Sequence, residues 1–197
     1  MAKFRCYNED TGFTECVVDY WDRLKELKLY SLERRRERYM IVYMYKLHIG
    51  LVPDLGFLSD TGRNGVKYFA KENPDAPKEV RSIRISSFFF KGPLLFNILP
   101  KELRTPARPN GPVESKKLLE RFKRWLDKWL ELIPDQPTTD ETSGRRGADS
   151  NSLVDQMRAN KIEVNRLWDR VRTQLEKEDQ EREESARERN ESAEDER

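Results

Sequence analysis

Apolar residues recur along this chain mostly at helical intervals, and the intervals divide it into segments. In Tyr20–Leu29 (YWDRLKELKL), Trp21, Leu24, Leu27 and Leu29 fall along one side with charges opposite, which predicts a short helix. Ser31 then reads as an N-cap. Its hydroxyl is placed to accept from a free backbone N–H of the next turn, and Glu33 suits the positive end of the helix dipole. The next helix, SLERRRERYMIVYMYKLHIG, is expected to stop at Gly50, which can take the left-handed conformation after a last turn. Pro53, Gly56, Gly62, Gly65 and the Asn73-Pro74 and Ala76-Pro77 pairs break regular structure, so 50–80 reads as mostly loop. Arg81–Phe90 (RSIRISSFFF) alternates Ile83 and Ile85 with Arg84 and Ser86, which predicts a short strand ended by Lys91-Gly92-Pro93. Leu94–Leu99 is an apolar half-turn or short helix before Pro100, and a proline-rich linker comes after it.

The strongest periodicity lies between Ser115 and Ile133. Leu118, Leu119, Phe122, Trp125, Leu126, Trp129, Leu130 and Ile133 are spaced by ones, threes and fours, which makes one continuous apolar face. Lys116, Lys117, Arg121, Lys123, Arg124 and Lys128 lie opposite, and Pro134 and Pro137 end the helix. Residues 134–151 are a linker by composition. From Ser152 to Glu194 one long helix is expected, with Leu153, Met157, Val164, Trp168, Val171 and Leu175 at steps of three, four or seven. Its apolar stretch is about three heptads long, marginal for a coiled-coil seam. Beyond Leu175 no large apolar residue remains, and that part reads as a charged helix or a disordered tail.

Together these patterns predict a mainly α protein: amphipathic helices, one short strand segment, long loops and a charged C-terminal tail. The expected divisions are an irregular stretch at 1–18, a basic helical region at 19–134, a linker at 135–151 and the tail at 152–197. Composition supports one modest core with an appendage, since 36% of residues are hydrophobic and 38% are charged. The usual charged share is about 25%. The net charge of +2 hides a segregation: residues 20–46 carry +4, residues 81–131 carry +7 and residues 158–197 carry −3. Positive charge concentrated in the apolar part points to an anionic partner, with nucleic acid first in line. No stretch is apolar enough to span a membrane, and the N-terminal residues do not match a signal-peptide pattern. An intracellular location, cytoplasmic or nuclear, is therefore expected.

Candidate chemistry narrows the picture further. Cys6, Cys16 and the single His48 do not make up a zinc-ligand set. No nucleophile elbow, no Gly-rich phosphate loop and no Asp-Asp pair occurs, so neither an enzyme active site nor a cofactor or metal is expected. Basic and aromatic residues do interleave in Arg34–Tyr45 and again in Arg121–Trp129. Cations neutralise phosphates, and exposed rings stack on bases. Trp125 and Trp129 sit at helical spacing, which favours core over stacking platforms and leaves a face that could pack on a partner. The candidate nucleic-acid contacts are Arg34, Arg35, Arg36, Arg38, Lys91, Arg104, Lys116, Lys117, Arg121, Lys123, Arg124 and Lys128.

Three stretches taken in order resemble the C-terminal end of reverse transcriptases of non-LTR retrotransposons, of the jockey-like branch of long interspersed elements. They are YWDRLKELKLYSLERRRERYMIVYMYKLHIGLVP (20–53), RSIRISSFFFKGPLLFNILPKELR (81–104) and VESKKLLERFKRWLDKWLELIPDQP (113–137). The matching positions include Ser31, Leu32, Arg34 and Arg35, then Gly92, Pro93, Leu95, Phe96, Asn97, Leu99, Pro100, Leu103 and Arg104. They continue with Phe122, Lys123, Leu126, Asp127, Trp129, Leu130, Ile133, Pro134, Asp135 and Pro137. The resemblance implies descent from an element-encoded polymerase. The family's aromatic-x-Asp-Asp motif is not found, so RNA-directed DNA polymerase activity is not expected here. What it implies instead is a remnant from downstream of palm and thumb that contacts RNA or DNA. A larger reverse transcriptase is a further expected partner, and the apolar spacing of 115–133 separately suggests self-association through that face. Residues 158–197 pass the family's usual end and are expected to be added flanking sequence. A helical protein-interaction module, or a reading frame without selected function, are the alternatives.

Overall fold

The structure, a computed structural model, describes residues 4–8, 12–16, 20–53, 55–62, 65–70, 87–105, 109–135 and 152–195. In chain order the elements are β1 (Phe4–Asn8), β2 (Gly12–Cys16), α1 (Tyr20–Glu26), α2 (Leu32–His48), β3 (Leu58–Gly62) and β4 (Gly65–Phe69). Then come α3 (Phe88–Asn97), α4 (Lys101–Arg104), α5 (Pro112–Leu130) and α6 (Leu153–Asp195). The protein is mainly helical, with two separate antiparallel hairpins, β1–β2 and β3–β4, among the described residues. No helix there is long and apolar enough to cross a membrane.

Helix α2 has the ends its sequence predicts. The Ser31 hydroxyl accepts from the Arg34 backbone N–H at 3.1 Å. At the other end Gly50 takes φ +74°. Its N–H donates to Leu47 and that of Leu51 to Lys46, at 3.1 and 2.9 Å, the two bonds of a Schellman closure. Helix α5 begins with Pro112 in its first turn, where a missing N–H leaves nothing unpaired.

The core lies where α2, α3, α5 and α6 meet. Ile41, Met44 and Tyr45 of α2 are buried with Leu95 and Phe96 of α3, Phe122, Leu126, Trp129 and Leu130 of α5, and Leu153, Val164 and Trp168 of α6. Each such side chain contributes about 1.5–3 kcal/mol by leaving water. The Tyr45 ring stacks on Phe122 with centroids 3.7 Å apart. Gly92 lets α3 close on α2, because a Cβ there would lie 3.1 Å from the Met44 sulfur.

Four expectations change. Phe88–Phe90 open α3 instead of closing a strand, and the helix continues through Gly92 and Pro93, both buried. Packing against Met44 outweighs the local breakers. The rest of the expected strand, 81–86, lies outside the described residues. Second, the loop expected over 50–80 contains β3 and β4, paired from Leu58↔Phe69 to Gly62↔Gly65. Asn97 exchanges two hydrogen bonds with the Tyr68 backbone, at 2.9 and 2.8 Å, and anchors that hairpin on α3. Third, the irregular N-terminal stretch holds the β1–β2 pair, with Cys6 opposite Thr14 and Cys16 opposite Phe4.

The fourth change concerns α6. Leu153, Met157, Val164, Trp168 and Leu175 belong to the core and Asp179 is buried, so the expected appendage shrinks to the residues beyond Asp179. Trp168 meets Trp125 edge to face at 6.1 Å, and Arg172 pairs with Glu102 at 3.0 Å. Residues 180–189 are exposed throughout. The apolar face of α5 is thereby covered by the chain itself: Leu119, Phe122, Trp125, Leu126, Trp129 and Leu130 are all buried. The apolar side of the 115–133 stretch is therefore occupied within the chain.

Candidate nucleic-acid interface

The candidate cations separate into those the fold consumes and those it leaves outward. Arg34 is fully buried. One guanidinium nitrogen donates to the Pro134 carbonyl at 2.8 Å, and Nε lies 3.6 Å from Asp135. Burial pushes its pKa down, against the pull of Asp135 and Glu37. Arg38 holds Asp127 through two parallel bonds of 2.5 and 2.7 Å, which raise its pKa. Arg104 is buried and donates to the carbonyls of Leu99 and Val66, at 2.9 and 3.1 Å. Arg121 and Arg124 converge on Asp179, which also accepts from the Trp125 indole at 3.0 Å. In this fold the guanidinium groups of these five side chains are engaged by carboxylates or backbone carbonyls.

The carboxylate partners complete an internal lattice. Asp135 accepts from the Ser31 N–H at 2.6 Å and from its hydroxyl at 2.8 Å, so the residue that caps α2 is itself clamped by the segment just past α5. Glu37 accepts from the Leu153 N–H at 3.0 Å and from the Ser152 hydroxyl at 3.3 Å. It caps α6 from α2, a tertiary equivalent of a local N-cap. Burial raises the Glu37 pKa, and the Leu153 N–H opposes that rise. His48 shares a 2.8 Å hydrogen bond with the Tyr68 hydroxyl and packs near Phe96. Burial lowers its pKa, which favours the neutral imidazole.

What remains outward has a definite arrangement. Lys123 and Lys128 are paired within α5 with Glu120 and Glu131, at 2.6 and 3.1 Å. Lys116 and Lys117 are exposed on the same helix. Lys91, half-buried on α3, acts electrostatically on Glu37. On α2, Arg35 and Arg36 are exposed and make no ion pair among the described residues. They stand with Tyr39 and Tyr43, at steps of three and four, on the side away from Ile41 and Met44. Tyr39 keeps 69% of its surface exposed and Tyr43 keeps 39%. The Tyr43 ring rests edge-on against Phe88 at 5.2 Å, and Phe89 beside it is half exposed. Lys46, three residues past Tyr43, extends the same side, and charge-run reasoning misses it because it stands alone among aromatic and aliphatic residues. The Arg34–Tyr45 interleaving therefore resolves into two faces. Arg34, Arg38 and Tyr45 point inward, and Arg35, Arg36, Tyr39 and Tyr43 point outward.

Among the described residues no three His, Cys, Asp or Glu side chains converge in the manner of a metal site. The chain matches no protein-family model, no curated protein and no solved structure.

Proposed function

We propose that this chain is a non-catalytic piece of the non-LTR-retrotransposon reverse-transcriptase type that binds RNA or DNA weakly and with little sequence preference. The observation that carries the binding half is the outer face of α2, where arginines without an ion-pair partner flank exposed tyrosines among the described residues. Support for the descent half comes from how the three resembling segments fit together. Ser31 and Arg34 of the first meet Pro134 and Asp135 of the third, and Gly92 of the second fits against Met44 of the first. A cytoplasmic or nuclear setting goes with this reading.

Fluorescence anisotropy with labelled RNA and DNA tests the binding half. Binding is expected at low salt and should weaken steeply as salt rises, because bound cations displace condensed counterions. Absence of binding to either at low salt removes it. A template-extension assay tests the rest: incorporation above background would overturn the non-catalytic reading.

A second reading is a helical interaction module, favoured by the exposed end of α6. Residues 180–189 are helical and solvent-facing, and bridging between domains is one use of a helix that is polar all round.

A further inference from the structure

Resting on the nucleic-acid reading above, we propose that the outer face of α2 takes an unpaired strand. Successive bases lie on Tyr39 and Tyr43, and phosphates lie on Arg35 and Arg36. The argument starts from exposure. Tyrosine usually hides much of its ring, yet Tyr39 leaves 69% of its surface in solvent. Nothing in the packing of α2 needs that ring, whose neighbours Ile41, Met44 and Tyr45 fill the core from the opposite side.

Spacing then selects the form of nucleic acid. Four residues of helix separate the two rings by about 6 Å along the axis, at 1.5 Å per residue. Bases in a duplex are stacked about 3.4 Å apart along each strand. Their faces are covered by one another, and only edges reach the grooves. A duplex therefore offers phosphates to this surface but no base face to either ring. An unpaired strand can open its stacks and place one base per ring, at a spacing close to 6 Å. Phe88 holds the Tyr43 ring in a fixed orientation, at 89° between planes, which reduces the ordering cost of stacking on it. Arg35 and Arg36 precede Tyr39 by four and three residues and so sit on its flanks. Every base has a π-face, so such a site reads strandedness more than sequence.

The experiment compares, by anisotropy at one salt concentration, a labelled uridine or thymidine homopolymer with a duplex of matched length, each binding the full chain. The single strand is expected to bind about tenfold tighter or more. Tyr39→Ala should remove that advantage, while Tyr39→Phe, which keeps the ring, should retain it. Equal affinity for both forms, lost in Arg35→Ala/Arg36→Ala but not in Tyr39→Ala, would overturn this proposal and leave the nucleic-acid reading standing. No binding of either form at low salt would remove both. The comparison of strand forms uses the unaltered protein, so it decides the matter even where a variant folds poorly.

Discussion

Arg34 and Arg35 are neighbours in sequence. One lies fully buried between Pro134 and Asp135, and the other stands in water one turn from Tyr39. The same division runs the length of α2. Its inner face carries Arg34, Glu37, Arg38 and Tyr45, each with a partner on or beside α5 or α6. Its outer face carries Arg35, Arg36, Tyr39 and Tyr43, which leave much of their donor and ring surface available. A charged residue in a helix thus does different work according to a rotation of about 100° per residue, and composition alone cannot distinguish the two. The inner set ties the helices together, and the outer set stays open to solvent.

The largest test of that contrast is Asp135→Ala. It strips the buried Arg34 of its carboxylate and loosens the clamp on Ser31. Breaking a buried pair from one side costs about 3–5 kcal/mol, and a urea midpoint should report a loss of that order. Arg35→Ala should stay within about 0.5 kcal/mol, as exposed substitutions do. Arg34→Met should be milder than Asp135→Ala, since an apolar side chain can fill that site and Asp135 still reaches water. Were Asp135→Ala and Arg35→Ala equally harmless, the division of α2 into two faces would lose its energetic content.

Next in size is Asp179→Ala. Asp179 is buried where Arg121, Arg124 and the Trp125 indole converge, so the change leaves three donors without an acceptor. Arg121 is about half exposed and recovers hydration, so a loss of about 2–3 kcal/mol is expected. Hydrogen exchange should show the turns of α6 around Leu175 opening first, while those near Leu153, capped by Glu37, stay protected. Uniform opening of the whole helix would mean that α6 docks as one unit.

These inner contacts show how far the sequence was readable. The caps of α2, the apolar face of α5 and the extent of α6 come from spacing, because local periodicity and end chemistry set them. The partners of Arg34, Arg38 and Arg121 do not come from spacing. Each pairs with a carboxylate or carbonyl more than 50 residues away, and nothing in a basic run states which arginine turns inward. The β3–β4 hairpin was readable in principle, since Asn64-Gly65 marks a hairpin turn, but Gly62, Gly65 and Pro53 favoured a loop reading. The helical start of α3 was not readable. Phe88–Phe90 satisfy strand and helix alike, and contacts with Tyr43 and Met44 decide between them. For the same reason Tyr39 was visible as an aromatic near arginines, while its exposure needed the fold.

A smaller effect separates His48 from the surface cations. Its imidazole sits against Tyr68 and Phe96, and burial lowers its pKa below the ordinary 6.5. The unfolded chain therefore binds a proton more readily than the folded one as the pH falls below about 6.5. Stability from this group is complete above that value and declines as the solution is acidified, by at most about 1.4 kcal/mol per pH unit. His48→Asn should flatten that part of the stability profile between about pH 7 and pH 5. A slope that survives the substitution would assign it elsewhere.

The smallest expected effect comes from the far end of α6, where the two-face logic of α2 has no counterpart. Residues 180–189 are exposed, and 181–197 hold eight acidic and four basic residues with no large apolar side chain. Ending the chain after Gln180 keeps Trp168, Leu175 and Asp179 in place, so the unfolding free energy from a urea titration should change by no more than about 0.5 kcal/mol. Removing that net negative charge also removes long-range repulsion of a polyanion. Association with a single strand at low salt should then be unchanged or faster, with the difference vanishing once the Debye length falls to about 3 Å near 1 M salt. A truncation that instead weakened binding would place part of the interface on the acidic helix, and the outer face of α2 would no longer account for it alone.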